Sequence, residues 1–562
     1  MLVKTGVFST TGGGSFAAPV AGSSLNIRVI NAGSGGASVT TTALNDATGI
    51  IAGTTGARMT YNGTNWAYNT TNATDGAYGG YTGYTGLVTT AGTDTVNSLQ
   101  TGTAALTGSR TTNTLKLDTS AASQSLDLSG NTLTLTAGGL LFVGANNYTV
   151  TGGTLSSGAG NVATNSDLII HQYGSGSLTV NSTIANGLGN QTLTKTGTGT
   201  LVLGSSNSYT GQTFVNGGVL SISANNQLGA VATGAALNLN GTLQATSTFA
   251  LDNSGANKRI IVVGGNGAGF DVTDSNTLTV SGAMTTQISG NPFLPSGGGL
   301  VLTSSGTGNG TLLLTNAGNN FIGGVTINGG TLKQGVAGAL NSSGFNTLTF
   351  GSATNEKLQL NGFNATVSGL TSASTNAVVE NASAANATFA VINGADNTYN
   401  GTIQNGTGAG TLDVSKAGAG TLTLGGVNTY TGNTTVTSGT LVLADNAGLK
   451  FVIAGNGINN KVTGAGTATF DGDFTFDLTG AGTTLGDSWT IANVTSQTFS
   501  STFTVAGFTD NHDNTWSKIN GGTTYKFSEL NGVLNVVPEP STWALLAFSL
   551  TTVMVMRRRR KN

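Results

Sequence analysis

One sequence pattern occurs three times in this chain and limits the possible folds more than any other feature. It starts at Gly199, Gly310 and Gly420, as GTLVLGSSNSYTGQTFVNGGVL, GTLLLTNAGNNFIGGVTINGGTL and GTLTLGGVNTYTGNTTVTSGTL. Within each copy the G-T-L or G-V-L element returns after 19 or 20 residues, the length of one coil of a β-solenoid. The copies follow one another at 111 and 110 residues, which indicates a larger duplication with diverged coils between them.

The composition favours strands over helices or disorder. Hydrophobic residues make up 37% of the chain and charged residues only 7%. Leu, Val and Ile recur at every second position in segments such as LTLTL and LVL, which is the period of a strand with one buried face. A disordered low-complexity chain would lack these residues. We therefore predict an all-β fold with almost no helix before residue 540.

A second signature, N-x-[YF]-x-G, lies in the middle of each copy. It predicts a turn at a corner of the coil, because Asn tolerates left-handed backbone and can bond along a stack, Gly permits positive φ, and the ring covers the corner. An alternative interpretation is that the rings bind sugars. The residues concerned are Asn207, Tyr209 and Gly211; Asn319, Phe321 and Gly323; and Asn428, Tyr430 and Gly432.

These units resemble the autotransporter-associated β-strand repeat, also called the passenger-associated transport repeat, of bacterial surface proteins. A fainter copy from Asn131 extends the resemblance over about residues 95–445. The resemblance implies a right-handed β-helix in an exported chain, without catalytic machinery inside the repeat. We accordingly predict a right-handed β-solenoid over residues 96–446.

The two regions that flank the solenoid have different compositions. Residues 1–95 contain five of the eleven tyrosines and Trp66, and we interpret them as an N-terminal β-rich cap; a carbohydrate platform is the alternative. Residues 447–537 are richer in Phe, Asp and Trp. For them we predict a C-terminal β-rich cap module, either a small β-sandwich or broadened final coils, that protects the last edge from strand addition.

The tail, residues 538–562, combines three elements in order: Pro-Glu-Pro, an apolar segment over 543–556, and four consecutive arginines. It resembles the PEP-CTERM sorting signal that exosortase-type membrane proteases recognise, which implies a short transmembrane helix over 543–556. A plain single-pass anchor is the alternative. By this resemblance the recognition residues for processing are Pro538, Glu539, Pro540, Arg557, Arg558, Arg559 and Arg560.

The start of the chain departs from proteins that carry such a tail. Residues 1–16 contain one lysine and no apolar core of a secretory signal, so we expect a misassigned start or a fragment. Export is inferred from the repeat and the tail. We predict transit through the inner membrane by the C-terminal helix, followed by a position at the cell surface or outside the cell. A complete autotransporter is disfavoured, because residues 447–562 are too few for its membrane domain.

A catalytic or metal site finds little support in the sequence. There are no cysteines, which excludes thiolate sites. Asp471, Asp473 and Asp477 could bind calcium on one strand face, although a solvated face is favoured. Neither histidine has a metal-ligand partner at short spacing. We predict no enzyme activity, no cofactor and no metal. The residues considered are Glu356, Glu380, Glu529, Asp471, Asp473, Asp477, Asp510, Asp513, His171 and His512.

The charge balance restricts the partners. Five of the 20 basic residues lie in the last six positions, so the body carries 15 basic against 22 acidic residues and lacks the clustered cations that bind nucleic acid.

The leading hypothesis is a structural or adhesive surface protein, sorted by an exosortase-type protease and associated with exopolysaccharide or biofilm matrix. The alternative is a polysaccharide-acting β-helix enzyme, a lyase or hydrolase, which needs carboxylates and cations converging on one groove.

Overall fold

The computed structural model describes residues 25–27, 40–41, 45–51, 56–72, 76–119, 121–158, 160–162, 165–187, 189–230, 236–252, 258–286, 298–340 and 346–538. Regular structure in these residues is almost entirely β-strand, with one turn of 3₁₀-helix at Asn225–Leu228 and no α-helix. Two compact units are present: Met1–Gly330 with Asn341–Gly344, and Thr331–Leu340 with Phe345–Asn562. The predicted all-β class is confirmed.

The strands of the first unit are β1 (Leu25–Ile27), β2 (Thr40–Thr41), β3 (Met59–Tyr61), β4 (Asn65–Asn69), β5 (Gly76–Gly80), β6 (Thr85–Gly86), β7 (Gly92–Thr93), β8 (Asn97–Gln100), β9 (Ala104–Ala105), β10 (Arg110–Leu117), β11 (Gln124–Asp127), β12 (Thr132–Phe142), β13 (Tyr148–Thr151), β14 (Thr154–Ser157), β15 (Gly160–Val162), β16 (Asn165–Gln172), β17 (Leu178–Val180), β18 (Thr183–Ile184), β19 (Asn190–Thr196), β20 (Thr200–Leu203), β21 (Thr213–Val215), β22 (Val219–Ile222), β23 (Ala236–Leu239), β24 (Thr242–Ala245), β25 (Phe249–Ala250), β26 (Ile260–Val263), β27 (Ala268–Val272), β28 (Thr277–Val280), β29 (Met284–Thr285), β30 (Leu300–Thr303), β31 (Thr311–Leu314) and β32 (Val325–Ile327).

The first unit is a β-solenoid of stacked parallel strands. One sheet runs through β13, β17, β20, β22, β24, β27, β30 and β32, and a second runs through β10, β12, β16, β19, β21, β23, β26 and β29. Inward side chains form ladders along the stack, as in the buried series Leu178, Leu201, Leu220, Leu243 and Phe270, each in register with the next. Successive rungs of this ladder lie 19 to 27 residues apart, and the coil inside the first repeat, from Leu201 to Leu220, has the predicted length of 19 residues.

A small sheet packs on the side of the first coils. Strand β4 pairs antiparallel with β3 and β5, and the backbone N–H of Ala57 donates to the carbonyl of Ala137 in β12 at 2.7 Å. Trp66 of β4 is fully buried in a cluster with Ala137 and Leu141. This part of the N-terminal region therefore packs on the face of a solenoid sheet; its action as an edge cap stays a prediction.

The strands of the second unit are β33 (Gly330–Gln334), β34 (Thr347–Phe350), β35 (Glu356–Gln359), β36 (Ala365–Val367), β37 (Gly369–Ser372), β38 (Val378–Glu380), β39 (Ala387–Ile392), β40 (Asn397–Tyr399), β41 (Thr402–Gln404), β42 (Leu412–Ala417), β43 (Thr421–Leu424), β44 (Val427–Asn428), β45 (Thr434–Val436), β46 (Thr440–Leu443), β47 (Gly448–Val452), β48 (Val462–Phe470), β49 (Asp473–Asp477), β50 (Ser488–Thr490), β51 (Ala492–Phe499), β52 (Thr504–Val505), β53 (Thr509–Asp510), β54 (Thr515–Asn520), β55 (Thr523–Ser528) and β56 (Val533–Val537).

Parallel stacking continues within the second unit and ends in an aromatic cluster. A buried ladder passes through Tyr399, Leu424, Leu443 and Phe470 by direct register. The last coils broaden through the long strands β48 and β51, and a five-stranded antiparallel sheet in the order β50-β56-β55-β54-β53 follows them. Phe527 of this sheet lies 5.5–6.1 Å, between ring centroids, from phenylalanines of the final coils, including Phe474.

The predicted transmembrane helix over 543–556 lies outside the described residues, as does the tail from Glu539 onward. Within the part of the chain that the structure describes, we found no helix of the length and apolarity needed to cross a membrane.

Candidate functional site

The asparagine of the first repeat joins three successive coils. Its side-chain Oδ1 accepts a hydrogen bond of 2.7 Å from the backbone N–H of Ile184, one coil earlier. Its Nδ2 donates one of 2.5 Å to the carbonyl of Gln227, one coil later. Asn207 is almost fully buried, so its side-chain amide pairs two backbone groups that water cannot reach. The corner is thereby locked by a side chain that extends the backbone ladder.

The other two repeats use their asparagines in the same way. Asn319 Oδ1 accepts from the N–H of Met284 at 2.9 Å. Asn428 Oδ1 accepts from the N–H of Ile403 at 3.0 Å, and its Nδ2 donates to Gly448 O at 3.2 Å. The bond along the stack that the signature predicts is thus present in all three copies, whereas left-handed backbone is absent from these asparagines.

The aromatic rings of the signature are internal. Tyr209, Phe321 and Tyr430 are 0%, 0% and 2% exposed, and the two tyrosine hydroxyls lie 2.7 and 2.6 Å from the hydroxyls of Thr213 and Thr434. Burial raises the pKa of Tyr209 and of Tyr430 to about 12. With no ring face at the surface, the sugar-binding interpretation of these residues is wrong, and their contacts are those of packing.

The signature glycines are required by two different constraints. Gly323 has φ 105°, which L side chains rarely adopt. Gly211 and Gly432 have ordinary φ values, but a Cβ there would collide with the carbonyl oxygens of Gln191 and Leu412 in the preceding coil. The expectation of positive φ therefore holds for one copy, and close approach of neighbouring backbones explains the other two.

Two buried lysines form a contact that the sequence reasoning missed. Lys195 is 0% exposed, and its Nζ donates to the carbonyls of Gly197 and Gly217, each at 2.8 Å. Lys416 repeats this arrangement in the third copy, with Gly418 at 2.9 Å and Ser438 at 3.2 Å. Each ammonium thus connects its own coil to the next one.

A signal for these lysines is present in the sequence. Each lies four residues before the glycine of G-T-L, at Gly199 and Gly420, in a chain with few charges. Burial lowers the pKa of Lys195 to about 7 and lowers that of Lys416. The carbonyl contacts oppose this effect because they favour the charged form.

The N-terminal aromatics do not form an exposed platform. Trp66 is fully buried, Tyr78 is buried, and the other four tyrosines of this region are half-buried. Trp66 meets the ring of His171 edge to face, with centroids 5.3 Å apart. His171 Nε2 lies 3.0 Å from the carbonyl of Ala57, and burial lowers the pKa of His171 to about 4. His171 therefore packs as a neutral core residue.

The acidic residues that stand close in sequence are bound separately. Asp471 and Asp473 each accept a hydrogen bond from a hydroxyl of the next coil, and Asp477 pairs with Lys450 at 3.1 Å. The hydroxyl of Thr479 and Lys450 lower the pKa of Asp477 to about 2. Among the described residues, no group of three or more His, Asp or Glu side chains is arranged to hold a metal ion.

The second acidic group lies at the end of β53 and in the turn that follows it. His512 Nδ1 lies 3.1 Å from a carboxylate oxygen of Asp510, and both side chains are exposed. Asp513 pairs with Lys526 at 3.8 Å. Of the residues predicted to be recognised for processing, Pro538 is described and half-buried, while Glu539, Pro540 and Arg557 to Arg560 lie outside the described residues.

Three segments of the chain match the family described as Passenger-associated-transport-repeat, at residues 193–222, 307–333 and 414–443. The Adhesin BmaC autotransporter of Brucella suis biovar 1 (strain 1330) is 32% identical over 333 residues, which is 57% of this chain. The chain spans only 9% of the length of that relative. No solved structure matches the chain. The matched segments contain the three N-x-[YF]-x-G signatures and both buried lysines.

Proposed function

We propose that this chain is an exported, surface-associated β-solenoid protein with a structural or adhesive role. The observation that carries the proposal is the stack of parallel coils in which three passenger-associated-transport repeats direct their specific residues inward, to the joints between coils. A repeat whose distinctive side chains all serve stacking is suited to building an extended scaffold. The similarity to a protein named as an adhesin supports an adhesive role.

We propose in addition that the chain is not an enzyme. Glu356 and Glu380 are buried, and Glu380 is held by Lys357 and two glutamines. A surface depression of about 570 Å³ between Ala122 and Thr149 is lined by residues without titratable side chains. These placements support a scaffold rather than a lyase or hydrolase, which needs converging carboxylates and cations.

We further propose the direction in which the solenoid winds, the route by which the chain is sorted and the partner that it binds. The solenoid winds to the right, as β-strand crossovers in one sheet almost always do. The tail inserts its apolar segment 543–556 in the inner membrane, an exosortase-type protease recognises Pro538, Glu539 and Pro540, and the body remains at the cell surface or outside the cell. There it associates with neutral or acidic exopolysaccharide, without cofactor or nucleic acid.

The test uses the purified full chain and cells of the native host. Intact cells should expose the solenoid to antibody, and a deletion strain should attach less well to surfaces and retain less exopolysaccharide. Incubation of the protein with acidic and neutral polysaccharides should release no oligosaccharides. Turnover that disappears in Asp473→Asn or Asp513→Asn would replace the scaffold proposal by the enzyme alternative.

A further inference from the structure

The terminal antiparallel sheet has one end with exposed apolar side chains. Ile458, Leu485 and Ile519 are 65%, 64% and 65% exposed, and among large apolar residues of the described chain only Leu530, at 79%, is more exposed. Exposed aliphatic side chains of this size are costly in water when they lie close together, and such groups mark interaction surfaces. We call these three residues the apolar end.

The strand register places the three residues around the point where the chain leaves the sheet. Ile519 is in register with Thr524, which is in register with Val537, the last residue of β56. The loop that contains Leu485 joins the same place, because the N–H of Gly486 donates to the carbonyl of Val536 at 3.3 Å.

The loop of Ile458 is attached beside them. The N–H of Gly457 donates to the carbonyl of Ser488 at 3.0 Å, and Ser488 is in register with Asn535. One carboxylate, that of Asp487, lies at this end, and its Oδ2 accepts a hydrogen bond of 3.0 Å from the N–H of Thr484 in its own loop.

The opposite end of the same sheet is acidic. There Thr515 is in register with Ser528, Asp510 ends β53, and the adjoining turns carry Asp513 and Glu529. Leu530 lies at this acidic end, in the turn between β55 and β56, and the length of β56 separates it from the exit of the chain. The sheet is therefore polarised, with apolar side chains where the chain leaves and carboxylates at the far end.

The length of chain beyond the sheet limits where the apolar end can be. Four residues separate Pro538 from Trp543, the first residue of the apolar segment. Five backbone steps span at most about 18 Å when fully extended. If the tail is inserted as the proposed function requires, Pro538 lies within this distance of Trp543 at the membrane surface, and the apolar end lies at the same end of the sheet as Pro538.

We infer that the apolar end, formed by Ile458, Leu485 and Ile519, contacts the headgroup and upper acyl region of the lipid bilayer while the tail is inserted. The inference rests on the proposed membrane insertion of the tail. Aliphatic side chains at loop tips gain from burial at this interface, whereas the acidic end is repelled by anionic lipids and faces away. The contact holds the Pro-Glu-Pro segment beside the membrane, within reach of a membrane protease.

The test uses the absence of cysteine from the chain. Single variants Leu485→Cys, Ile519→Cys, Leu530→Cys and Ser549→Cys of the full chain are labelled with an environment-sensitive fluorophore and reconstituted in vesicles of phosphatidylethanolamine and phosphatidylglycerol. Quenchers attached to the lipid acyl chains report depth. Labels at 485 and 519 should shift to the blue and be quenched, the label at 530 should behave as in water, and the label at 549 should be quenched most.

The outcomes separate the inference from the proposal on which it rests. A label at 549 that remains in water shows that the tail does not insert, and the proposed function is then wrong in that part. A quenched label at 549 with unquenched labels at 485 and 519 overturns the inference alone. Blue shifts at 485 and 519 that are not accompanied by quenching also overturn it, because the occupant is then the tail or a second copy of the chain.

Discussion

The ammonium of Lys195 lies 2.8 Å from the carbonyl oxygen of Gly217, a residue of the next coil. The same nitrogen holds the carbonyl of Gly197 in its own coil, so one charged side chain connects two layers of the stack. Because the ammonium is fully buried, these carbonyls have no access to water when it is removed.

Lys195→Met should destabilise the coils around it. The neutral side chain has a similar length but leaves buried carbonyls unpaired, at a cost of about 1–3 kcal/mol each. Urea denaturation at pH 6, below the pKa of Lys195 of about 7, measures the effect with most of the ammonium charged. The exposed Lys258 serves as control, and Lys258→Met should leave the midpoint unchanged. Equal stability of Lys195→Met and the parent would mean that burying the charge costs as much as its contacts contribute.

Asn428→Ala should loosen three neighbouring coils at once. The substitution unpairs the N–H of Ile403 and the carbonyl of Gly448, and we expect a local loss of about 2–4 kcal/mol. Amide hydrogen exchange is the appropriate measurement because stability in a repeat protein is local. Peptides spanning these two residues should exchange faster, whereas Asn520→Ala, at the exposed end of β54, should change nothing there. Unchanged protection at Ile403 would show that the amide bridge is dispensable.

Acidification should weaken the contact between the N-terminal sheet and the solenoid through His171. The unfolded chain binds a proton with a pKa near 6.5, whereas His171 in the folded chain binds one only near pH 4. Between these values the unfolded state holds more protons, so stability is lost as the pH falls from 6.5 to 4. At about 1.4 kcal/mol per pKa unit, the loss amounts to about 3 kcal/mol.

Urea titrations between pH 7 and pH 4 check the role of His171. His171→Gln keeps an N–H for the carbonyl of Ala57 and should flatten the pH dependence in this window. His512, the other histidine, is 88% exposed at its side chain, and His512→Gln should leave the dependence as it is in the parent. An unaltered slope in His171→Gln would assign the acid sensitivity to the carboxylates instead.

Glu539→Ala should block removal of the tail. The apolar segment of 14 residues is about 21 Å long as a helix, short of a hydrocarbon core of roughly 30 Å, which suits a transient stop better than a permanent anchor. Clustered arginines stay on the cytoplasmic side, so in the proposed insertion Pro538 and Glu539 would face the outer side. Intact-mass analysis of protein from the native host should find the parent without residues 557–562 and the variant with them. Parent chains that keep those residues would identify a plain anchor.

The sequence by itself determined the solenoid and its repeating corner. Each coil contacts only its neighbours, so a local sequence pattern is enough to predict the stacked fold. That pattern consists of Leu and Val at every second position, glycine at the turns and a recurrence at 19 or 20 residues. For the same reason the sequence alone predicts the hydrogen bonds that Asn207, Asn319 and Asn428 form along the stack.

Tertiary structure decided the contacts between residues far apart in the chain. Arg58 and Asp167 form a buried ion pair at 2.8 Å across 109 positions, and His171 meets Trp66, although no local pattern connects them. The burial of Tyr209 and Tyr430 likewise depends on the side of the coil on which each ring lies. Aromatic residues suit both packing and sugar binding, and only the stacking of coils around them excludes water and separates the two roles.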